Sequence, residues 1–197
     1  MQKKSASTYP LTISAILLGV GMGLPYLTGQ LQAISKVISP LHIPVLLCGL
    51  CCGWQWGLGL GLLLPVLRGL TLGMPPFPAI ALPMAFELGT YGLIAGLHYP
   101  FFVRLYKKKD HLPAMLTALI TAMLLGRIAG GIAKAGLLAL GIIGSRSPFT
   151  FSAFIAGYFV ATAPGALIQL CLLPPIALAL ERAELSPLAK SMSGDPS

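Results

Sequence analysis

The chain alternates between long apolar stretches and short polar ones, and the apolar stretches define its predicted helices. A membrane-spanning helix needs roughly 20 mainly apolar residues, and most of these stretches reach that length. The stretch from Pro40 to Leu67 exceeds it. Gly53 and Trp54 near its middle favour a turn at the membrane interface, so we divide it into two helices. The predicted spans are 10–29, 34–53, 54–73, 82–103, 112–144 and 149–180.

These spans predict an all-α, polytopic membrane protein with six transmembrane helices. Residues 1–182 form a single membrane domain, and the polar segment 183–197 is predicted to be a disordered or surface-lying tail. Composition supports this class, because 56% of the 197 residues are hydrophobic, 9% are charged and the mean hydropathy is +0.85. A soluble domain carries about 25% charged residues, so lipid must cover much of the surface.

The positive charges lie mainly at the edges of the apolar stretches. Lys3 and Lys4 precede the first span, segment 104–109 follows the fourth, and Lys190 follows the last. Because cytoplasmic loops are enriched in Lys and Arg, six spans place both termini and the triple-lysine loop on the cytoplasmic side. The net charge of +8 is not gathered on one polar face, which argues against nucleic-acid binding.

The cysteines and the common catalytic motifs predict no cofactor. Cys48 and Cys51 have C-x-x-C spacing, but all four cysteines lie in apolar stretches and no second Cys/His pair follows at zinc-site spacing. We therefore interpret them as small buried apolar side chains and predict no metal site. The chain has no Walker A, H-E-x-x-H or G-x-S-x-G motif, so it is not predicted to be an enzyme or to hydrolyse ATP.

Ionisable side chains inside the spans are the main functional signal, because a charge in the hydrocarbon region is energetically costly. In the six-span arrangement most of them fall in the outer half of the membrane, which predicts a pocket that opens outward. Arg127 and Lys134 are seven residues apart and therefore share one helix face, where nearby glycines leave room for a ligand or another backbone. The ionisable residues are His42, Arg68, Glu87, Arg127 and Lys134.

Their balance of charge suggests an anionic ligand. Glu87 can neutralise only one of three cations, so a surplus of positive charge remains. The alternative is internal pairing, in which Glu87 neutralises one cation and the others reach the membrane interface. His42 is either a ligand contact or a histidine whose hydrogen bonds are satisfied at a helix end.

Two short patterns suggest a loop and a contact surface. The segment 73–78 contains three prolines in four residues, so we read it as a loop folded over the outer face or as a plain exposed turn. Small residues that recur every four positions let helices pack closely, either within the chain or against a partner subunit. Such residues are Ala15, Gly19 and Gly23 in the first helix and Gly53, Gly57 and Gly61 in the third.

Several of these stretches resemble the S components of energy-coupling factor (ECF) transporters. The similar segments are 41–47 (LHIPVLL), 73–76 (GMPP) and 86–92 (FELGTYG). They are most similar to the branch that contains pantothenate, folate and queuosine-precursor S components. The Ala15-xxx-Gly19 step also resembles the motif by which the first helix of the family docks on the coupling subunit, although glycine stands where alanine is common.

The resemblance implies a substrate-binding subunit for vitamin uptake in a bacterial plasma membrane, with the ionisable residues above and Tyr91 as substrate-binding residues. Its partners would be a transmembrane coupling subunit and two ATP-binding subunits, which dock at Ala15, Gly19 and Gly23. The loop after the third helix would act as a lid through Gly73, Pro75, Pro76 and Phe77. Two rival hypotheses are an intramembrane lipid-modifying enzyme, with Glu87 and His42 as acid and base, and a structural membrane protein without a ligand.

Overall fold

A computed structural model of the chain describes residues 5–27, 40–106, 111–144 and 148–193. All regular elements in these segments are helical, without a β-strand. The elements are α1 (Ser5–Leu27), α2 (His42–Cys52), α3 (Trp54–Leu72), α4 (Ala81–Tyr106), α5 (Leu112–Ala139), α6 (Phe151–Phe154), the π-helix π1 (Ile155–Val160), α7 (Ala163–Arg182) and α8 (Pro187–Ser193). Lys3, Lys4 and the lysines at 107–109, on which the predicted orientation rests, lie outside the described residues.

The helices confirm the all-α polytopic membrane class. Three helices among the described residues are long and apolar enough to cross a membrane: α3, α5 and the continuous Phe151–Arg182 segment. Thr8–Leu24 and His42–Cys52 are shorter apolar helices. Large apolar side chains such as Leu63 and Ile132 are exposed on the outside, as expected of surfaces that face lipid. The count of six spans stays a prediction.

The central helix is α4, which packs against α2, α3 and α5. Its inward face is fully buried, with Leu88, Tyr91 and Tyr99 at 0–1% exposure. Residues four apart share a helix face, so this buried face also carries polar side chains at intervals of one turn. The polar clusters described below are therefore both built on α4.

The predicted break between the second and third helices occurs at Gly53. Its φ of 93° lies in a region that favours glycine, and its amide donates to the Gly49 carbonyl at 3.1 Å. The second helix therefore ends at Cys52 and the third begins at Trp54, at the predicted break. The predicted beginning of the second helix, 34–39, lies outside the described residues.

The glycines of α3 serve packing within the chain. A methyl group at Gly57 would lie 2.6 Å from the Gly92 carbonyl oxygen, and one at Gly61 would overlap the carbonyl of Leu88. Because neither backbone can move away cheaply, α3 and α4 approach closely only with glycine at these positions. Of the two interpretations of the glycine repeat in the third helix, packing within the chain is therefore the one that the structure supports.

The C-terminal part contains a π-helix within the last predicted span and a short helix in the predicted tail. The predicted span 149–180 corresponds to α6, π1 and α7, with a turn at 161–162 between π1 and α7. Where a disordered or surface-lying tail is expected, α8 begins after Ser186, whose hydroxyl accepts from Ala189 N at 3.3 Å and donates to the Cys51 carbonyl at 3.2 Å. These side-chain contacts satisfy backbone groups, so the segment can hold a helix against α2. The domain boundary at residue 182 stays a prediction.

Candidate functional site

Four of the six predicted site residues meet between α2, α4 and α5. We call His42, Glu87, Tyr91 and Arg127 the Glu87 cluster. His42 and Arg127 are each 9% exposed, and Tyr91 is 1% exposed. The Tyr91 hydroxyl donates to Glu87, and the Tyr91 ring lies against Gly126, the neighbour of Arg127 on α5. The structure thus brings residues from three separate helices into one polar group inside an apolar bundle.

The centre of this cluster is the carboxylate of Glu87. Its Oε1 accepts a hydrogen bond from the Tyr91 hydroxyl at 3.0 Å, since the two residues lie one turn apart on α4. His42 Nε2 lies 3.9 Å from the same oxygen, and its ring centroid lies 5.2 Å from that of Tyr91. Glu87 therefore faces a histidine and a tyrosine rather than an arginine or lysine, which corrects the predicted internal pairing with one of the three cations.

Two glycines of α5 make room for the Glu87 and Tyr91 side chains. A methyl group at Gly126 would overlap the Tyr91 ring, and one at Gly130 would lie 2.8 Å from Glu87 Cβ and 3.2 Å from Oε2. Any larger residue would push these side chains away from α5. The room that the sequence predicted beside Arg127 is therefore occupied by side chains of α4.

Only some of the hydrogen-bond donors of the Arg127 guanidinium have a partner among the described residues. Its Nη2 donates to the Thr162 carbonyl at 3.3 Å, and its Cζ lies 5.8 Å from the centroid of the Phe159 ring. Its Nε is buried and has no hydrogen-bond partner among the described residues. Buried polar atoms almost always have a partner, so such a donor indicates a bound group or a functional role.

The π-helix π1 brings a second set of residues to the cluster that sequence reasoning missed. The i→i+5 hydrogen bonds of a π-helix make its turn wider than that of an α-helix, which changes the directions in which successive side chains point. In this wider turn Tyr158 and Phe159 both face α5: the Tyr158 hydroxyl donates to the Gly130 carbonyl at 3.2 Å, and Phe159 lies beside Arg127. Aromatic residues are dense around Gly157 in the sequence, but this density does not predict a π-helix, so the sequence carries no local signal for these contacts.

Arg68 and Lys134, the other two predicted site residues, do not join Glu87. The ion pairs among the described residues are His42–Glu87 and His111–Glu181, so neither cation pairs with that carboxylate. Lys134 Nζ lies 4.8 Å above the centroid of the Phe149 ring, next to the start of α6. Arg68 is 9% exposed near the end of α3.

The proline-rich loop packs against the end of α3. Gly73, with φ of 68°, ends that helix in a left-handed conformation. The loop returns toward α3, because a methyl group at Gly69 would lie 2.9 Å from the Pro75 carbonyl oxygen and 3.4 Å from Phe77 Cβ. Pro76 accepts hydrogen bonds from Ile80 N and Ala81 N, which lead into α4. The loop therefore has an ordered path, and its role as a lid stays a prediction.

The predicted docking residues lie on an open face of α1. Ala15 and Gly19 are exposed, and a methyl group at Gly19 or Gly23 would meet nothing within 4 Å. Unlike the glycines of α3, these two are not needed to pack α1 on its neighbours within the described residues. The structure is therefore compatible with a partner at this face, and the docking role stays a prediction.

A second polar cluster on α4 was not predicted from the sequence. The Tyr99 hydroxyl donates to Glu181 Oε1 at 2.5 Å, and His111 Nδ1 lies 3.0 Å from Glu181 Oε2 and 3.0 Å from the Tyr99 hydroxyl. Because Tyr99 has only one proton to donate, His111 Nδ1 carries its own proton and donates it to Glu181. We call Tyr99, His111 and Glu181 the Glu181 cluster.

The geometry also bears on the metal and enzyme hypotheses. No group of three or more His, Cys, Asp or Glu side chains within the described segments could hold a metal ion. Cys48, Cys51 and Cys52 are buried free thiols, as predicted, whereas Cys171 is exposed on α7. The enzyme hypothesis required His42 and Glu87 within hydrogen-bond reach, and their 3.9 Å separation exceeds it.

Comparison with known proteins gives the family. Searches of curated proteins and of solved structures found no match. The sequence model of the family described as "ECF transporter, substrate-specific component" matches residues 9–177, which is most of the chain. This match agrees with the resemblance of the segments in α2 to α4 and with a helical membrane protein that carries ionisable side chains in its core. The chain therefore belongs to the family of substrate-specific components of ECF transporters.

Proposed function

We propose that the chain captures a small anionic, vitamin-like molecule at the outer face of a bacterial plasma membrane, with the Glu87 cluster as the binding site. Membership of the family makes it the substrate-binding subunit of an uptake transporter, which associates with the ECF transmembrane and ATPase subunits. The resemblance favours pantothenate slightly over folate or a queuosine precursor as the ligand.

The observation that carries this proposal is the partly satisfied guanidinium of Arg127. Its Nε is buried without a hydrogen-bond partner in the described part of the chain, next to a carboxylate with which it forms no ion pair. Leaving a buried hydrogen-bond donor without a partner costs about 1–3 kcal/mol of free energy, and more when the group is charged. A ligand carboxylate that accepts from Arg127 would recover this energy, so an acid is the chemistry that this group favours.

The remaining charges support an acidic ligand. Arg127 and Lys134 are two cations on α5, and Glu87 is the acid that packs against the same helix. Glu87 forms its ion pair with His42, and the described residues show none between Glu87 and either of these two cations. The charge of Arg127 and Lys134 therefore favours binding of an anion.

Transport requires partners and a change of orientation. We propose that Ala15, Gly19 and Gly23 form the docking face for the transmembrane coupling subunit, since this face of α1 is open. The subunit would then reorient in the membrane, driven by two ATP-binding subunits, and release the ligand inside. The loop 70–83 would close the site during capture, and both termini would remain cytoplasmic.

Native mass spectrometry of the full chain purified from a bacterial host would test this proposal. We expect a small acid to co-purify with the wild-type protein and to be lost from Arg127→Gln, with an affinity lower by about thirtyfold or more. Arg182→Gln is the matched control, because it removes a cation at the distant end of α7. Retention of the same molecule by Arg127→Gln, or a wild-type protein without a ligand, would contradict the assignment of this site.

A further inference from the structure

The two opposite charges of the Glu87 cluster lie close together without forming an ion pair. The described residues contain no ion pair between Glu87 and Arg127, although Tyr91 bonds to Glu87 and packs against Gly126, the neighbour of Arg127. Glu87 also lies against Gly130, which is three residues after Arg127 and therefore close to it on α5. Direct pairing would be the simplest way to stabilise two buried charges, so their separation requires a reason.

Both groups keep unused hydrogen-bonding capacity. Oε1 of Glu87 accepts a hydrogen bond from the Tyr91 hydroxyl. A carboxylate offers about four lone-pair sites, so Glu87 can accept further hydrogen bonds. Arg127 uses Nη2 on the Thr162 carbonyl and keeps its buried Nε available. One molecule with a donor at one end and an acceptor at the other would satisfy both.

The neighbouring elements hold these two charges in place. The Tyr91 ring fills the space over Gly126, and Tyr158 contacts Gly130 from the π-helix side. Thr162, the acceptor for Arg127, lies directly after the π-helix, and its hydroxyl donates to the Tyr158 carbonyl at 2.5 Å. These contacts therefore keep Glu87 and Arg127 oriented before a ligand arrives, which reduces the entropy lost on binding.

We infer that the ligand has two polar ends: a hydrogen-bond donor such as an amine or amide N–H, which binds Glu87, and a carboxylate, which binds Arg127. This inference rests on the proposed function and narrows it from anions in general to molecules of the amino-acid or amide type. A plain anion would satisfy Arg127 and leave its own negative charge beside Glu87, where like charges repel.

The test uses small molecules of equal chain length that differ only in whether they carry an amine, a carboxylate or both. Linear ω-amino acids of two to six carbons would be compared with the unsubstituted carboxylic acids and the amines of the same chain length. Binding to the detergent-purified full chain would be measured as the shift in thermal unfolding temperature across a concentration series. We expect one length of amino acid to bind at least about tenfold more tightly than its matched acid and its matched amine.

Variants then assign each end of the probe to a residue. Glu87→Gln should abolish the preference for the amino acid over the acid, whereas Arg127→Gln should abolish binding of both. Glu181→Gln, which alters the second cluster on α4, should leave the preference unchanged. The wild-type comparison among probes needs no variant, so it decides the question even if a substitution prevents folding.

Each outcome has a distinct meaning. An acid that binds as tightly as the matched amino acid would overturn the two-ended inference and leave capture of an anion intact. The inference would also be overturned if wild type and Glu87→Gln showed the same preference for the amino acid over the matched acid. If no probe of any length binds, the inference fails, and the co-purification experiment decides separately whether the capture of a small acid fails with it.

Discussion

The two polar clusters on α4 contain the same residue types but differ in how completely they are satisfied. Each combines a buried tyrosine with a histidine and a glutamate, and the tyrosines, Tyr91 and Tyr99, are 1% and 0% exposed. In the Glu181 cluster all three side chains are joined at 2.5–3.0 Å. In the Glu87 cluster the histidine and the glutamate are 3.9 Å apart, and Arg127 has a buried donor without a partner among the described residues.

The comparison separates a structural cluster from a binding cluster. In the Glu181 cluster each of the three side chains contacts the other two through hydrogen bonds, and such bonds strengthen one another in a low-dielectric interior. The Glu181 cluster therefore joins α4, the beginning of α5 and the end of α7. An incompletely satisfied buried cluster is energetically costly unless another molecule completes it. Residue type alone cannot tell these two cases apart.

The largest expected effect on stability is from Glu181→Ala. This change removes the acceptor of both Tyr99 and His111 and leaves the buried Tyr99 hydroxyl with His111 as its remaining hydrogen-bond partner. We expect it to lower the free energy of unfolding by about 3–5 kcal/mol. Thermal unfolding in detergent would measure this, with Arg182→Ala at the exposed neighbouring position as the control. A loss below about 1 kcal/mol would show that the Glu181 cluster does not hold these helices together.

A smaller effect distinguishes the two tyrosines. Tyr99→Phe removes a 2.5 Å hydrogen bond in a closed network, and we expect a loss of about 2 kcal/mol. Tyr91→Phe removes a single 3.0 Å hydrogen bond to Glu87, so we expect the free energy of unfolding to fall by about 1 kcal/mol or less. The two variants would be compared in one unfolding series without a ligand. An equal or larger loss in Tyr91→Phe would contradict the distinction between the clusters.

The smallest expected effect concerns the glycine beneath Glu87. Gly130→Ala would bring its methyl group within 2.8 Å of Glu87 Cβ and 3.0 Å of Tyr158 Cε1, so we expect a loss of about 1 kcal/mol. Gly136→Ala is the matched control on the same helix, because a methyl group there meets nothing within 4 Å. Its higher helix propensity should stabilise the protein by up to about 1 kcal/mol. Equal unfolding temperatures for both variants would show that Glu87 can move away from α5.

The ionisable residues of the site were predictable individually but not as a group. His42, Glu87 and Arg127 were predicted because charges inside apolar stretches are visible in the sequence. Their partners were not predictable: Glu87 contacts His42, which lies 45 residues earlier and was expected to be an independent ligand contact or helix-end residue. Lys134, which shares a helix face with Arg127, lies over the Phe149 ring instead of beside Glu87.

Other features of the site had no local signal. Glu181 reaches Tyr99 and His111 across 82 and 70 residues of chain, so no local pattern relates them. The π-helix that turns both Tyr158 and Phe159 toward α5 looks like part of an ordinary apolar span in the sequence. Likewise, the described tail forms α8 because Ser186 binds the Cys51 carbonyl, a contact that exists only after folding.

The sequence by itself determined the membrane class, the all-helical fold and the break at Gly53, because hydropathy, helix length and glycine conformation are local properties of the chain. Only the tertiary structure decided which charges meet and which hydrogen bonds remain open. Those outcomes depend on how closely helices approach, and glycines such as Gly57 and Gly126 set that distance through partners far away in the chain. The function of each buried polar residue therefore follows from its surroundings rather than from its type.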